Sequence, residues 1–376
     1  MPLSRRSLLA AGAAGAVGAA GMMTAALPLR RLSAAEDTGL YLSANTGRDG
    51  GHRFSAFRAD GALVMDVPVP DRAHGCTLHP DGDTVAVFAR RPGRFVVVAS
   101  LRESRVLRTV ESVPGRHFYG HGVFSADGGL LYATENAYDE DAAGIVGVYD
   151  AADGFRRIGE MNSGGNGPHD MRLMPDGRTL VVANGGIRTH PDMARVKLNL
   201  DTMDPSLTYL DTADGGMLEQ ARQPEALHWN SMRHLAVTPQ GRVLCVQQWQ
   251  GAADRSPPLV AVHERGAELT LLAAPEAVQG RMRNYCGSAT VDRSGSIAAV
   301  SAPRGGLVTF WDLKAMRFLG STDVADGCGV APAPDGPGFV ITSGAGGAWR
   351  WEPGGAAALP AMPEDRRWDN HLTLRA

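Results

Sequence analysis

The sequence lacks several features that would point to a common class of protein. Its formal net charge is only −3, from 37 basic and 40 acidic residues, so it has no excess positive charge to attract nucleic acid or an anionic membrane. Four cysteines occur in 376 residues and none forms a Cys-x-x-Cys pair, so we assign no disulfide. A Gly-x-Ser-x-Gly nucleophile elbow is also missing, and no triad order is recognisable.

Helical periodicity is nearly absent as well. From Gly39 onward, short runs of Val, Leu, Ile, Tyr and Phe alternate with turns rich in Gly, Pro, Asp and Asn. Such alternation predicts an all-β protein. The 47 glycines and 23 prolines occur at short intervals, which favours many tight turns over disorder.

One sequence unit recurs seven times. It consists of a His or Cys, a short apolar strand, a polar turn that is often Asp-Gly, and a second strand. The leading positions are His74, His121, His169, His234, Cys286, Cys328 and His371. They are separated by 47, 48, 65, 52, 42 and 43 residues. A period of about 40–50 residues with about four strands predicts a seven-bladed β-propeller of four-stranded antiparallel blades.

The two ends of the chain are predicted to complete one blade together. The last repeat has room only for an innermost strand, at 370–374, whereas residues 40–67 supply the other three strands. Pairing of the C-terminal strand with the N-terminal strands would close the ring and remove open sheet edges. In the clearest complete blade, we predict strands at 122–125, 130–134, 145–149 and 155–160.

The histidines concentrate on one predicted face. In an antiparallel blade, the start of the innermost strand shares a face with the loop between the second and third strands, and nine of the 11 histidines map there. We call the five histidines that begin a repeat the leading histidines; they are His74, His121, His169, His234 and His371. Secondary candidates are His117, His190, Cys286 and Cys328.

Imidazole suits copper, iron, zinc and nickel, and thiolate favours copper or zinc, so we predict a transition metal site at the channel mouth. Asp170 and Glu135 are candidate carboxylate partners for the rings.

The spacing of 65 residues between two leading histidines indicates an insertion of about twenty residues, in a fold whose loops are usually short. It occupies about 184–206 and emerges on the histidine-bearing face, so we predict a lid. Arg188, Lys197 and Arg304 lie near the same mouth and are candidates for holding an anionic ligand or cofactor. The alternative is that they are solvated loop charges.

Three interpretations of the histidines remain open at this stage. They can hold a metal or metallocofactor, or they can belong to an organic-ligand or hydrolase site, as in a lactonase-like or a metal-dependent enzyme. They can also be structural, because histidines near the start of an innermost strand often bond to the next blade, leaving the face for protein binding.

The N-terminus resembles an export signal. Ser4-Arg5-Arg6-Ser7-Leu8-Leu9 is similar to a twin-arginine motif, and an Ala/Gly run and a small-residue cleavage site at 33–35 follow. We therefore predict a signal peptide at 1–35, and a mature single-domain propeller at 36–376. The protein would be periplasmic, monomeric and not inserted in the membrane after cleavage. A membrane anchor is the alternative, although the run is Gly-rich and barely long enough to span.

Several motifs together resemble one family of bacterial proteins. They are the leader, His117-Phe-Tyr-Gly-His121-Gly, Gly167-Pro-His-Asp170, the stretch 183–192 and Ser301-Ala-Pro-Arg-Gly-Gly306. The family is a domain of unknown function found in exported propellers, beside imelysin-like and di-haem peroxidase-like genes linked to iron uptake. The resemblance implies a periplasmic role in metal acquisition, with metal-uptake proteins as partners, but transfers no catalytic residue. More distantly, the chain is similar to lactonase-like (YVTN-type) propellers and to the propeller of nitrous oxide reductase, whose copper cluster sits on channel-mouth histidines.

Overall fold

The computed structural model describes residues 39–193 and 196–375. The predicted signal peptide at 1–35 lies outside the described residues, and the prediction stays open. The described residues belong to a compact unit that spans Arg31–Ala376. Among them, no helix has both the length and the apolar character needed to cross a membrane.

The described chain consists of β-strands in seven antiparallel sheets, which confirms the predicted seven-bladed propeller. The chain begins with β1 (Leu40–Gly47), β2 (His52–Phe57) and β3 (Leu63–Pro68) of the closing blade. Blade 1 contains β4 (Ala73–Leu78), β5 (Thr84–Ala89), β6 (Phe95–Ser100) and β7 (Arg105–Glu111); blade 2 contains β8 (Arg116–Phe124), β9 (Leu130–Ala137), β10 (Ala143–Asp150) and β11 (Arg156–Asn166).

The remaining blades follow in chain order. Blade 3 contains β12 (Pro168–Leu173), β13 (Thr179–Asn184), β14 (Ser206–Asp211) and β15 (Met217–Arg222); blade 4 contains β16 (Asn230–Val237), β17 (Val243–Trp249), β18 (Val260–His263) and β19 (Thr270–Leu272). Blade 5 contains β20 (Ser288–Val291), β21 (Ile297–Ala302), β22 (Leu307–Asp312) and β23 (Arg317–Asp323); blade 6 contains β24 (Gly327–Pro332), β25 (Phe339–Ser343), β26 (Ala348–Glu352) and β27 (Gly355–Ala358). Finally β28 (Arg366–Trp368) and β29 (Thr373–Arg375) return to the closing blade.

Helical structure in the described residues is limited to short segments in loops. One α-helix, α1 (Glu276–Arg281), precedes blade 5. Four 3₁₀ segments lie at Pro191–Met193, Leu200–Thr202, Glu225–Leu227 and Pro303–Gly305.

The closing blade joins the two ends of the chain as the repeat pattern predicted. Strand β1 pairs antiparallel with β28, where Asn45 faces Trp368, and with β29, where Tyr41 faces Leu374. The C-terminal strand is therefore split in two by residues 369–372. The Ser43 hydroxyl donates to the carbonyl of His371 at 2.7 Å and anchors the break.

The core lies between neighbouring blades. Inner strands such as β5 are apolar and buried on both faces, whereas outer strands such as β7 and β23 have only exposed and half-buried residues. One apolar cluster joins blades 4 and 5 through Val246, Leu259 and Trp311. Because the blades pack through these faces, the innermost strands are held as a rigid ring around the axis.

The innermost strands have an irregularity where the leading residues occur. The register shifts between Ala73 and Cys76, Phe118 and Gly122, Pro168 and Asp170, Met232 and His234, and Gly327 and Val330. A β-bulge re-aims a side chain that regular pleating would direct into a blade. It also explains why β8 begins at Arg116 and not at the predicted 122, because the strand continues past its bulge. The other three predicted strands of blade 2 overlap β9, β10 and β11, which are longer than predicted.

Candidate metal centre

The five leading histidines converge on the propeller axis. The ring of His371 lies 4.5 Å from that of His74, 4.6 Å from that of His121 and 4.5 Å from that of His234, measured between centroids. The ring of His169 lies 4.6 Å from that of His234. Each ring comes from a different blade, and no side chain in the group is more than 8% exposed. The imidazoles therefore lie inside the channel, deeper than the predicted mouth.

Glycines let two of these strands approach closely. A Cβ on Gly75 would lie 2.8 Å from both the Gly120 carbonyl oxygen and His121 Nδ1, and one on Gly120 would lie 2.9 Å from His74 Cδ2. Gly120 also has φ +106°, a conformation that side-chain-bearing residues rarely adopt. The short distance between the His74 and His121 rings, 5.1 Å between centroids, depends on both glycines.

Two carboxylates lie beside two of the rings. His74 Nδ1 lies 2.9 Å from Asp369 Oδ1, and His121 Nδ1 lies 3.3 Å from Asp170 Oδ1. The contact between His121 and Asp170 is at ion-pair distance and is not a hydrogen bond. Asp369 does accept a hydrogen bond from His74, so the His74 ring carries its proton on Nδ1 and presents the Nε2 lone pair. This is the arrangement that commonly orients a metal-binding histidine.

Asp170 was a predicted carboxylate partner, whereas Asp369 was missed. Its position two residues before a leading histidine was the available signal, but only closure of the ring brings it to His74. Glu135 was the other predicted partner. It instead accepts from the Tyr149 hydroxyl at 2.5 Å and from Arg157 at 2.9 Å, so it does not orient a leading histidine.

Several imidazole nitrogens have no hydrogen-bond partner. His121 Nε2, His169 Nδ1 and His234 Nδ1 are buried without one. A buried polar atom left unpaired costs free energy that a ligand can recover. Two sets of three nitrogens lie within 4.8 Å of one another, one from His74, His121 and His371 and the other from His121, His169 and His234. The histidines could therefore hold a metal ion.

The charge state of the centre suits a cation. Burial lowers the pKa of every leading histidine below its ordinary value, so the imidazoles are neutral at neutral pH. Burial alone would raise the pKa of Asp369, but the hydrogen bond from His74 and the charges of Arg72 and Arg90 lower it below its usual range. Burial raises the pKa of Asp170 to about 6.

The secondary histidine candidates lie outside both three-histidine sets. His117 stacks on Tyr119 with ring centroids 5.6 Å apart, and its Nε2 lies 3.2 Å from Asn136 Nδ2. His190 Nδ1 accepts from the backbone N–H of Asp192 at 3.2 Å. The structure gives these two rings packing and hydrogen-bonding partners of their own.

The cysteine candidates are also separate from the leading histidines. Cys286 packs in the apolar cluster between blades 4 and 5, where burial raises the pKa of its thiol to about 12. Cys328 Sγ lies 3.0 Å from the Asp326 carbonyl oxygen, and burial raises the pKa of that thiol too. Both thiols are thus protonated and do not offer a thiolate at neutral pH. All four cysteines are unpaired.

The predicted insertion connects β13 to β14, and its described residues bond to blade 2 and, through the Leu200 carbonyl, to Trp229 ahead of blade 4. Asn199 holds its two limbs together, accepting from the Arg188 N–H at 2.7 Å and donating to the Gly186 carbonyl at 2.9 Å. Thr189 anchors it to blade 2, through its hydroxyl to Tyr119 at 2.9 Å and its carbonyl to Asn136 at 3.0 Å.

The three predicted anion-binding residues have different surroundings. Arg188 pairs with Asp141 at 2.7 Å. The Lys197 ammonium donates to Gln250 Oε1 at 2.6 Å, and the Arg304 guanidinium lies 4.2 Å from the centre of the Tyr285 ring. Sequence reasoning missed two further cations in this region, Arg91 and Arg233, because neither belongs to the insertion or carries a motif.

On the other side of the leading histidines, the axial channel opens into a cavity of about 600 Å³. It is lined by His121, His234 and His371 and by the second halves of the innermost strands, including Thr77, Leu173 and Thr290. The centre therefore adjoins a space large enough for a small molecule.

Comparison with known proteins supports the fold and the family resemblance. A family described as "Protein of unknown function (DUF1513)" matches residues 67–375, which confirms the resemblance drawn from the motifs; the gene neighbourhood and the export leader stay predictions. No curated protein matches. A chain of Kuenenia stuttgartiensis hydrazine synthase is similar with a TM-score of 0.60 and 16% identity, over 80% of this chain and 91% of that chain. At that identity the likeness shows the fold alone.

Proposed function

The chain belongs to the DUF1513 family, and we propose that its leading histidines bind a transition metal ion, iron or copper, alone or as a complex. The observation that carries the proposal is the set of unpartnered imidazole nitrogens on the axis, at His121, His169 and His234. A structural histidine normally has each ring nitrogen hydrogen-bonded or in contact with solvent. These nitrogens are buried without a hydrogen-bond partner and face one another.

The donor set supports this class of metal. Neutral imidazole suits copper, iron, zinc and nickel, and hard cations such as Mg²⁺ and Ca²⁺ prefer oxygen ligands. The rings are fixed by bulged strands from separate blades and, at His74, by a hydrogen bond to the Asp369 carboxylate. Such a rigid site needs little rearrangement on binding. The two three-histidine sets share His121.

We further propose that the metal is cargo or a sensor ligand in periplasmic metal uptake. The predicted export leader and the family resemblance support this role, with metal-uptake proteins as partners. Metal limitation of a deletion strain tests it: growth under iron or copper starvation should fall and should be restored by the wild-type gene. Restoration by a gene carrying His121→Ala and His169→Ala would contradict the role.

Binding itself is tested by titrating metal-stripped, tag-free protein with iron(II), copper(I) and zinc against a chromophoric chelator. We expect one metal to bind tightly to wild type and to be lost in His121→Ala/His169→Ala. The matched control is His52→Ala/His228→Ala, which removes two histidines that are outside the centre. Equal loss in both double variants, or none in either, would contradict the assignment.

The cavity of about 600 Å³ beside the centre favours a second candidate, a metal-dependent enzyme, including a lactonase-like hydrolase. A small substrate there would reach His121, His234 and His371 directly. Turnover of lactones or of a redox dye that depends on the metal and is lost in the His121→Ala/His169→Ala variant would support it. If the protein binds no metal and still recovers a periplasmic partner, it is a scaffold whose histidines are structural.

A further inference from the structure

A buried cation lies next to the leading histidines, and no described residue forms an ion pair with it. Arg233 occupies the bulge of β16 beside His234, and its side chain is only 4% exposed. Its Nε has no hydrogen-bond partner. A guanidinium stays protonated in proteins, so this buried group carries a positive charge.

Three more cations surround the same space. Arg91 donates to the Tyr119 hydroxyl at 3.2 Å. Burial lowers the pKa of Lys197, and the charges of Arg233, Arg304 and Arg91 lower it further. Lys197 therefore lies close enough to all three arginines to be repelled by their charges, and Arg91 likewise acts on Arg233.

Charge compensation is missing from this group in the described part of the chain. The neighbours that act electrostatically on Arg233 are Arg91, Tyr119 and Tyr285, and those that act on Lys197 are arginines. By contrast, exposed arginines elsewhere pair with carboxylates, for example Arg178 with Asp211 at 2.7 Å. A buried charge without a partner is strongly unfavourable, so the cluster calls for an anion.

The cluster is graded from exposed to buried. Lys197, on the insertion, and Arg304 are exposed, Arg91 is half-buried and Arg233 is buried. The guanidinium group of Arg91 lies 5.4 Å from the centre of the Tyr119 ring, and that of Arg304 lies 4.2 Å from the centre of the Tyr285 ring. These contacts limit the motion of both arginines. An anion arriving from solvent would meet the outer cations first and reach Arg233 last.

We propose that Arg233, Arg91, Lys197 and Arg304 form an anion site for a multivalent oxyanion, a free polycarboxylate or a phosphate. Guanidinium groups bind both through paired hydrogen bonds. This anion site is separate from the proposed metal site, because its four cations are not metal ligands. It can be occupied with or without a bound metal.

Isothermal titration of the metal-stripped mature protein with citrate and with inorganic phosphate tests the site and identifies the source. We expect at least one of them to bind, with an affinity that falls as ionic strength rises. The variant Lys197→Gln/Arg304→Gln should weaken binding by about tenfold or more, since each lost charge-assisted hydrogen bond is a large part of the affinity. The control Arg105→Gln/Arg156→Gln removes two exposed, ion-paired arginines on outer strands and should leave the affinity unchanged.

A second variant separates binding from folding. Arg233→Met keeps an unbranched apolar stem and removes the charge. It should abolish anion binding and raise the melting temperature of the anion-free protein, because the uncompensated charge is gone. A fall in melting temperature would show that Arg233 is structural and would overturn the proposal, as would failure of wild type to bind either anion at millimolar concentration.

The metal and anion proposals can fail separately. The same titrations on His121→Ala/His169→Ala, which lacks the metal site, should give the wild-type anion affinity. Loss of anion binding in that variant would overturn the independent site.

Discussion

The Nε2 atoms of His74 and His371 lie 3.2 Å apart, although the two residues are separated by 297 positions in the chain. Asp369 holds Nδ1 of His74, so His74 presents a lone pair to His371. In the metal-free protein, the Nε2–H of His371 must therefore donate a hydrogen bond to Nε2 of His74. A metal ion would take the place of that proton. The closing blade thus brings together the first and last histidines of the centre.

The carboxylate behind His74 should control metal affinity. Replacing Asp369 by Asn removes the charge that fixes the ring and its tautomer, and we expect the metal dissociation constant to rise by about 10–100-fold. Chelator competition measures this change. Asp153→Asn, on an exposed turn where Asp153 pairs with Arg156, is the control and should not alter affinity. An unchanged affinity in Asp369→Asn would show that the carboxylate only tethers Arg72.

His121 should be more important than any other single histidine. It is the member common to both three-histidine sets, so His121→Ala disrupts both, whereas His371→Ala and His169→Ala each leave one set complete. We expect the order of metal affinity to be wild type, then the two peripheral variants, then His121→Ala. Titration of the three variants in parallel gives the ranking. If His169→Ala or His371→Ala bound metal more weakly than His121→Ala, His121 would not be the ligand common to both sets.

The metal-free protein should lose stability on acidification. Burial lowers the folded-state pKa of His169 and His234 well below 6.5, so the unfolded chain binds protons first as pH falls. The stability is complete above about pH 6.5 and is lost as pH falls, by at most about 1.4 kcal/mol per pH unit for each histidine. Asp170, with its pKa raised to about 6, acts in the opposite direction but is a single group.

Denaturant unfolding between pH 4.5 and 7 measures this slope. The variant His169→Asn/His234→Asn should show a shallower fall on the acidic side than wild type. Identical slopes would mean that these imidazoles are solvated or protonated in the folded protein.

Close packing of the innermost strands should be sensitive to a single methyl group. Gly120→Ala introduces a strained backbone and a contact with His74, and we expect a loss of more than about 1 kcal/mol together with weaker metal binding. Gly266→Ala is the matched control, because Gly266 has φ +78° but no atom within 4 Å of the added Cβ. It should lose stability without losing metal. Normal metal affinity in Gly120→Ala would contradict the dependence of the centre on this approach.

The propeller architecture could be predicted from the sequence because the repeats show the number of blades directly. Each copy carries its own strand, turn and leading residue, and the truncated last copy at 370–374 identified the closing blade. The alignment of the repeats also predicted that the leading histidines are neighbours. Their depth did not, because it depends on bulges that redirect side chains such as His121 and His169 into the axis.

Other features depend on contacts between distant blades and have no local signature. Asp369 and His74 meet only after the ring closes. Cys286 occupies the equivalent repeat position in blade 5 but packs between blades. Arg233 adjoins a leading histidine in sequence, yet nothing in the sequence indicated that its charge is buried without a partner.

The most direct test of the central claim is elemental analysis of the protein exported through its own leader and purified from periplasm, without an affinity tag or chelator. The account predicts near-stoichiometric iron or copper in wild type, and its loss from His121→Ala/His169→Ala at unchanged folding. Absence of metal in wild type, both as isolated and after reconstitution with iron, copper and zinc, would contradict it and make the histidines structural.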